Sequence, residues 1–318
     1  MLSVAVLMGT YNGEKYIEEQ MCSIVKQSRK ADEVLICDDC SSDSTVDIIK
    51  KFINKHRLKN WTLIENKVNK GFAENFISGI SKISADIVFF SDQDDIWHMD
   101  KIKIMTDVMK KNNAEAVLCR QKYIDSNGDR KKVFLAQPGI EDFFSSWHFR
   151  GKRCVSFEEQ VCNNRSTGMA LAVRRDAALV CSKWIGEYQI SHDLIIGMYA
   201  ASHNKMYYIN ESLVKRRIHD NNTSAPQITV YDRIKNMEKM IRGIEGRVKL
   251  QLICLADFWW LGECDKKELN KSVRDYSNII RYIEEREILK LFYLLIKSNG
   301  MVNKKIICLS LLYALMEK

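Results

Sequence analysis

Asp92, Asp94 and Asp95 place three carboxylates within four positions, directly behind the apolar run Ile87-Val88-Phe89-Phe90. Like charges this close repel and raise one another's pKa unless a cation neutralises them. An Asp-x-Asp pair also offers the hard oxygen ligands that suit Mg²⁺ or Mn²⁺, so the expected cargo is a metal carrying phosphates. The same residues can form a polar turn with an N-cap for a following helix, since Asp is favoured in both places.

The elements that position these acids follow from periodicity. A short continuous apolar run forms a buried strand of a parallel sheet, so the acids emerge at its C-terminal end, where open α/β sheets bind ligands. Upstream, apolar strands are predicted at 4–8, 33–37 and 61–65, each leading through a polar loop into a helix, over 14–27, 45–56 and 72–83. With the acid strand and a helix to Lys111, strand and helix alternate four times. That pattern implies an α/β fold with a doubly wound, mostly parallel sheet and every strand-ending loop on one rim.

The loops on that rim are Thr10-Tyr11-Asn12, Asp38-Asp39, Asn69-Lys70-Gly71 with Asn75 beyond it, and Asp92-Gln93-Asp94. Capping and turn chemistry explains any one of them. Together they supply a base-sized aromatic, amides, an acid pair, a lysine and metal-type acids, the parts a nucleotide diphosphate needs. The G-x-G-x-x-G fingerprint and the G-x-x-x-x-G-K-[ST] loop are both absent, which disfavours dehydrogenase and ATPase routes.

Val6-Leu7-Met8-Gly9-Thr10-Tyr11-Asn12-Gly13-Glu14-Lys15-Tyr16-Ile17, Asp38-Asp39-x-Ser41-x-Asp43-x-Thr45, Asn69-x-Gly71-x-x-x-Asn75 and Ser91-Asp92-Gln93-Asp94-Asp95-Ile96-Trp97 resemble the N-terminal half of a family 2 glycosyltransferase of the A-type fold. The resemblance is nearest to rhamnosyltransferase-like bacterial members that build surface polysaccharides, and it covers residues 3–224. It implies a nucleotide-sugar donor (dTDP-rhamnose or a UDP-hexose), a divalent metal, a glycan or lipid-linked glycan acceptor, and inversion at the anomeric carbon. Asp39 then serves the base, with Thr10, Tyr11, Asn12, Lys70, Gly71, Asn75 and Gln93 in the donor site. Asp94 is the expected metal ligand, Asp92 supports the metal or the ribose, and Asp95 caps or orients a helix beginning near Ile96-Trp97.

Further along, Glu115–Cys119 reads as a strand and Ile124–Asp129 as a turn joining two strands. Residues 134–161 are irregular and aromatic, either an acceptor-facing loop or a buried local cluster. Asn163–Val173 joins a turn to a strand and resembles the family's Thr-Gly segment. Asp193 begins an apolar helix; N-capping would explain it, while the resemblance makes it the base that takes the proton of the attacking hydroxyl. In Arg216-Arg217-Ile218-His219-Asp220-Asn221-Asn222, the residues Arg217, His219 and Asn222 match the family's Tyr-Arg-x-His-x-x-Asn and Arg216 replaces its tyrosine. His219 is thereby expected on the metal and Arg217 on the leaving diphosphate.

The catalytic domain is expected over 1–225, divided into a nucleotide-binding half (1–112) and an acceptor half (113–225), with a helical region over 226–318. Runs at 289–296 and 306–316 are flanked by lysines and fall short of the roughly 18 residues that cross a bilayer. Either they lie peripherally on an anionic membrane face, or they pack on one another or in a homodimer.

The chain of 318 residues has a formal charge of +8 spread along its length, without the basic, aromatic-interleaved stripe of a nucleic-acid binder. Most of the ten cysteines sit in apolar surroundings, and Cys37-Asp38-Asp39-Cys40 lacks the context of a redox pair or zinc site. With no signal peptide at Met1–Ala5, a reducing cytoplasm is the expected compartment. Two other functions fit parts of the pattern: a nucleotidyltransferase making nucleotide sugars, and a non-catalytic nucleotide-sugar-binding scaffold. The first would want a Gly-rich basic loop after the first strand, which Thr10–Glu14 does not provide.

Overall fold

The computed structural model describes residues 2–130, 151–163, 166–188, 191–219, 237–297, 306–308 and 310–311. The aromatic segment at 134–150, Asp220-Asn221-Asn222, residues 226–236 and most of the last apolar run lie outside them.

The expected alternation is present: β1 (Val4–Thr10), α1 (Ile17–Val25), β2 (Glu33–Asp38), α2 (Thr45–His56), β3 (Trp61–Glu65), α3 (Phe72–Ile80) and β4 (Ile87–Ser91). β1, β2 and β4 are buried on both faces, as a helix-covered parallel sheet requires, and Val4 to Met8 and Ile87 to Phe90 expose nothing, while the edge strand β3 buries only Trp61. Then come β5 (Ile96–Trp97), α4 (Lys101–Asn112), β6 (Ala116–Ile124), β7 (Lys152–Cys154) and α5 (Phe157–Asn163). A 3₁₀ turn at Gly168–Ala170 leads into β8 (Leu171–Arg174), α6 (Arg175–Tyr188), α7 (His192–Ser202) and β9 (Met206–Arg217).

The sheet order is β3-β2-β1-β4-β8-β6-β9-β5, with β7 also paired to β9. β1, β2, β3, β4, β6 and β9 run one way, while β8 is inserted antiparallel between β4 and β6. The register sets Thr10 beside Asp38, Asp38 beside Glu65 and Met8 beside Ser91, so the predicted loops do share one rim. β6 and β9 end at that rim too, which brings Arg217 to the acid loop from more than a hundred residues away.

One expectation needs correcting. Ile96 and Trp97 do not open a helix but pair antiparallel with Lys215 and Val214, and α4 begins only at Lys101. A β-branched residue followed by an aromatic suits that ladder better than a first helical turn. Asp95 therefore caps nothing, and its Oδ1 accepts the Arg217 backbone N–H at 3.0 Å.

The sheet and its helices form one compact unit. A second unit holds residues 156–163 with α8 (Met237–Asp257), α9 (Glu263–Glu284) and α10 (Ile288–Lys297). Its core joins Ile244, Tyr276, Ile279, Ile283 and Leu291. No helix among the described residues is long and apolar enough to cross a membrane. The described cysteines are all free, Cys37 and Cys40 included.

Candidate active site

The β1 and β2 loops are tied together before any ligand is considered. Thr10 Oγ1 donates to Asp38 at 2.7 Å, and the Asn12 N–H donates to Ser41 Oγ at 2.9 Å. Asn12 Oδ1 accepts the Ser42 N–H at 2.9 Å from a residue with φ of 48°, a conformation that Asn tolerates. Between them Tyr11 is left 48% exposed. Gln93 grips its backbone at both ends, accepting its N–H at 2.9 Å and donating to its carbonyl at 2.8 Å. Any Cβ at Gly13 would stand 2.1 Å from Gln93 Oε1, which is why this position carries no side chain. Thr10, Asn12 and Gln93 thus present Tyr11 and spend their own polar groups on doing so.

Asp39 is buried, and its carboxylate takes N–H groups from Lys70 and Gly71, each at 2.8 Å, and the Asn66 amide at 3.1 Å. A carboxylate has about four acceptor sites, so one remains for a ligand. Gly71 holds φ of 81° where the loop turns into α3. Asn75 does not reach the rim: it is buried, donating to the Cys37 carbonyl at 2.8 Å and accepting from Asn66 at 2.9 Å. The expected donor contact at Asn75 is corrected to a brace for the β2 and β3 loops.

Asp92, Asp94 and Asp95 each offer an oxygen within a common span of 4.8 Å. Burial, then the neighbouring Asp94, pushes Asp92 up to about 7. The same two causes, with Asp92 added, hold Asp95 well above the ordinary carboxylate range. Asp95 Oδ2 is buried and has no hydrogen-bond partner. His219 Nε2 lies 2.8 Å from Asp94 Oδ2, with its ring 5.0 Å from that of Tyr16. Crowded carboxylates, one orphan oxygen and a facing imidazole are a donor set that fits a hard divalent cation.

The backbone beneath the acids is held by a polar stripe that the sequence reading missed. Gln20, Ser23 and Gln27 follow one another at i, i+3 and i+7 along the buried face of α1 and just past it. With its amide oriented to satisfy both ends, Gln20 donates to the Asp95 carbonyl and accepts from Ser91 Oγ and Trp97 Nε1. Ser23 Oγ accepts the Trp97 N–H at 3.0 Å, and Gln27 bonds the His98 carbonyl and the Ile102 N–H. Polar residues at helical spacing within an apolar face were the available signal.

Arg217 is corrected as well. It is 2% exposed, and its guanidinium donates to the carbonyls of Asp94, Asp125 and Ser126 and to Glu19 while lying 4.6 Å from the Tyr16 ring centroid. Spent in this way, it is a clamp on the acid loop and not a free partner for diphosphate. Its neighbour Arg216, half-buried, is a cation that lowers the pKa of both Asp92 and Asp95. Strand alternation turns adjacent residues to opposite faces, so the departure from the family pattern carries the cation.

Asp193 lies in the first turn of α7, where Ser191 is the N-cap residue. Its Oδ1 accepts from Ser191 Oγ and from the Leu194 N–H, it is half-buried, and its charge acts on Asp92. His192 beside it is 4% exposed, packed 4.5 Å from Phe76 and 4.7 Å from Phe90, with no hydrogen bond at either ring nitrogen. Burial holds that imidazole below the ordinary value of 6.5, hence neutral near pH 7.

A mostly parallel sheet whose strand-ending loops bring Tyr11, Asp39 and the Asp92, Asp94 and Asp95 cluster to one rim is the architecture of the A-type sugar-transferring fold. The chain belongs to glycosyl transferase family 2, whose model matches residues 5–177. It is 27% identical over 243 residues to the dTDP-rhamnosyl transferase RfbG of Shigella flexneri, covering 72% of this chain and 78% of that one. Among solved structures, Staphylococcus aureus TarS 1–349 in complex with UDP-GlcNAc superposes with a TM-score of 0.56 at 18% identity, covering 86% of this chain and 72% of that one. The mannosyltransferase PcManGT of Pyrobaculum calidifontis, in complex with GDP-Man and Mn²⁺, gives 0.51 at 14% identity, over 100% and 88% of the two chains. These likenesses establish the fold.

Proposed function

We propose that this glycosyltransferase is inverting and metal-dependent, moving a sugar from dTDP-rhamnose or a UDP-hexose to a glycan or lipid-linked glycan in bacterial surface polysaccharide synthesis. The observation that carries the reading is the cluster of Asp92, Asp94 and Asp95 with His219 on Asp94, on the rim that also holds Asp39, with the charge of Asp193 acting on Asp92. The named relative that uses a dTDP-sugar supports the donor class.

In this reading Tyr11 offers its ring to the base, and Asp39 accepts the imide N–H that uracil and thymine share. Lys70, exposed and tied to Asp39 through its backbone N–H, offers its ammonium to the diphosphate together with Arg216. Asp94, Asp92 and His219 would hold Mg²⁺ or Mn²⁺, which supplies charge neutralisation to the departing nucleotide diphosphate. Asp193 takes the proton from the acceptor hydroxyl as that oxygen attacks the anomeric carbon opposite the leaving group. Asp193→Asn is expected to abolish transfer while leaving donor affinity within about twofold, because only the base is lost. Asp94→Asn is expected to remove Mn²⁺-dependent stabilisation by donor. Chromatographic assay of sugar transfer, paired with thermal shift on dTDP, UDP and their sugars, tests both. Full turnover by Asp193→Asn, or transfer undiminished by EDTA, refutes the assignment.

The second unit supports peripheral contact with an anionic membrane. On α10 the apolar Leu289, Phe292, Tyr293 and Ile296 repeat at i, i+3, i+4 and i+7 and stay 53–84% exposed, with Lys290 and Lys297 alongside. Insertion of such a face is driven by apolar area and by anionic headgroups. Co-sedimentation with phosphatidylglycerol vesicles, lost in Phe292→Glu/Ile296→Glu, is the expected result. Sedimentation as a dimer that ignores vesicles would assign the face to a second copy instead.

A further inference from the structure

Tyr16 has no part in the roles above, yet its ring lies against two residues of the acid loop's surroundings. It is the N-cap residue of α1, and its N–H donates to the Gly13 carbonyl at 3.0 Å, as does that of Ile17 at 3.1 Å. That turn fixes the backbone at the root of the ring, which is buried. The Arg217 guanidinium carbon stands 4.6 Å from the ring centroid, and the His219 imidazole lies 5.0 Å away at a tilt of 35°. Both lie inside the range in which a ring attracts a cation or a second ring. Glu19, three positions on and so on the same side of the helix, accepts from Arg217.

His219 has need of such a support. β9 ends at Arg217, and its pairing with β6 reaches Ile218, whose N–H donates to the Ile124 carbonyl at 2.9 Å. His219 follows, beyond the residues that strand pairing fixes, and still its Nε2 is 2.8 Å from Asp94 Oδ2. An imidazole turns about two side-chain bonds, so a flat neighbour is what selects one orientation.

We propose that Tyr16 positions His219: one ring braces the imidazole against Asp94 and backs the Arg217 clamp, so that the two are aligned without a cation. It is a positioning residue, acting on Asp94 through His219. What it does for the metal rests on the function proposed above; the hold on the imidazole does not.

The hold is read without metal, on the full chain in EDTA. Nε2 carries its proton where it faces a carboxylate, and that N–H is seen by ¹⁵N NMR only while the bond slows its exchange with water; its absence from His219→Gln assigns it. Tyr16→Phe keeps the ring and is expected to keep the signal, with Mn²⁺ affinity by calorimetry within about twofold of wild type. Tyr16→Leu is expected to lose the signal and to bind Mn²⁺ about fivefold more weakly, the order that one aromatic pair supplies. A ring that served packing alone would lower the urea midpoint of Tyr16→Leu and move neither readout. The proposal is overturned if wild type lacks the signal, if folded Tyr16→Leu retains it or the full Mn²⁺ affinity, or if Tyr16→Phe loses as much as Tyr16→Leu. If Tyr16→Leu does not fold, cross-relaxation between the Tyr16 and His219 ring protons of wild type decides: its presence supports the hold and its absence overturns it. Wild type that binds no Mn²⁺ overturns the metal reading, and the N–H signal alone then decides the hold.

Discussion

Substituting Arg217 separates a clamp from a ligand. Its guanidinium serves three backbone carbonyls and Glu19, and its own N–H meets Asp95. The Glu19 pair is discounted because that carboxylate is 54% exposed and screened by water. Bonds from a charged donor to the three carbonyls are worth about 1.5 kcal/mol each, less where the 125–126 turn regains water, plus lost packing on Tyr16. Arg217→Ala should then cost about 3–5 kcal/mol, and Arg217→Lys, which keeps the charge but not the fork, about 2–3 kcal/mol. For a unit of this size the former lowers Tm by about 10 °C. Urea denaturation gives the midpoint, and initial rates below the new Tm give kcat and KM for the donor. The expected outcome is a lower midpoint with kcat falling and donor KM moving little. An Arg217→Lys protein with an unchanged midpoint and a donor KM raised tenfold would refute the reasoning and return the guanidinium to the diphosphate.

Two further outcomes follow from the site. His192 is buried neutral with its folded pKa below the unfolded 6.5, so the unfolded chain binds more protons in the window just below that value. Stability is intact above about pH 6.5 and falls on acidification through the folded pKa; His192→Phe should flatten that part of a Tm–pH profile, and an identical acid limb in both proteins would contradict it. At Gly13, the Cβ of Ala would occupy the place of the Gln93 amide, so Gly13→Ala should release Tyr11 and weaken nucleotide affinity by about tenfold with Tm changed by only a few degrees, measured by thermal shift with UDP.

The fold was legible because its information is local. Apolar runs of strand length, polar loops and helical spacing marked β1 to β4 and placed Tyr11, Asp39 and Asp94 on one rim. The facing of His219 and Asp94 was legible only through the family resemblance, since nothing local joins residues so far apart. What failed to show was direction. Nothing in Arg216-Arg217 says which guanidinium turns inward until β6 and β5 flank β9, and that pairing also draws Ile96-Trp97 out of helical conformation. Gln20, Ser23 and Gln27 read as ordinary polar positions of an amphipathic helix, because their partners are backbone groups of a loop some seventy residues on.

Those partners set what the proposed metal would require of the site. The Asp94 carbonyl is held by Arg217, the Asp95 carbonyl and the Trp97 indole by Gln20, and the Trp97 N–H by Ser23. Every one of these bonds fixes backbone or an indole ring, and none occupies a metal-facing carboxylate oxygen. On the metal reading the loop is therefore built before any cation arrives, and binding would need only side-chain rotation, the condition under which preorganised charge acts at no reorganisation cost. Hydrogen exchange followed by mass spectrometry should accordingly show the same protection at Asp95–Trp97 in EDTA and in Mn²⁺, while Gln20→Ala raises exchange there about tenfold or more by removing two of the bonds. Strong protection appearing only with Mn²⁺ would mean that the metal folds the loop, and the α1 stripe would then be packing alone.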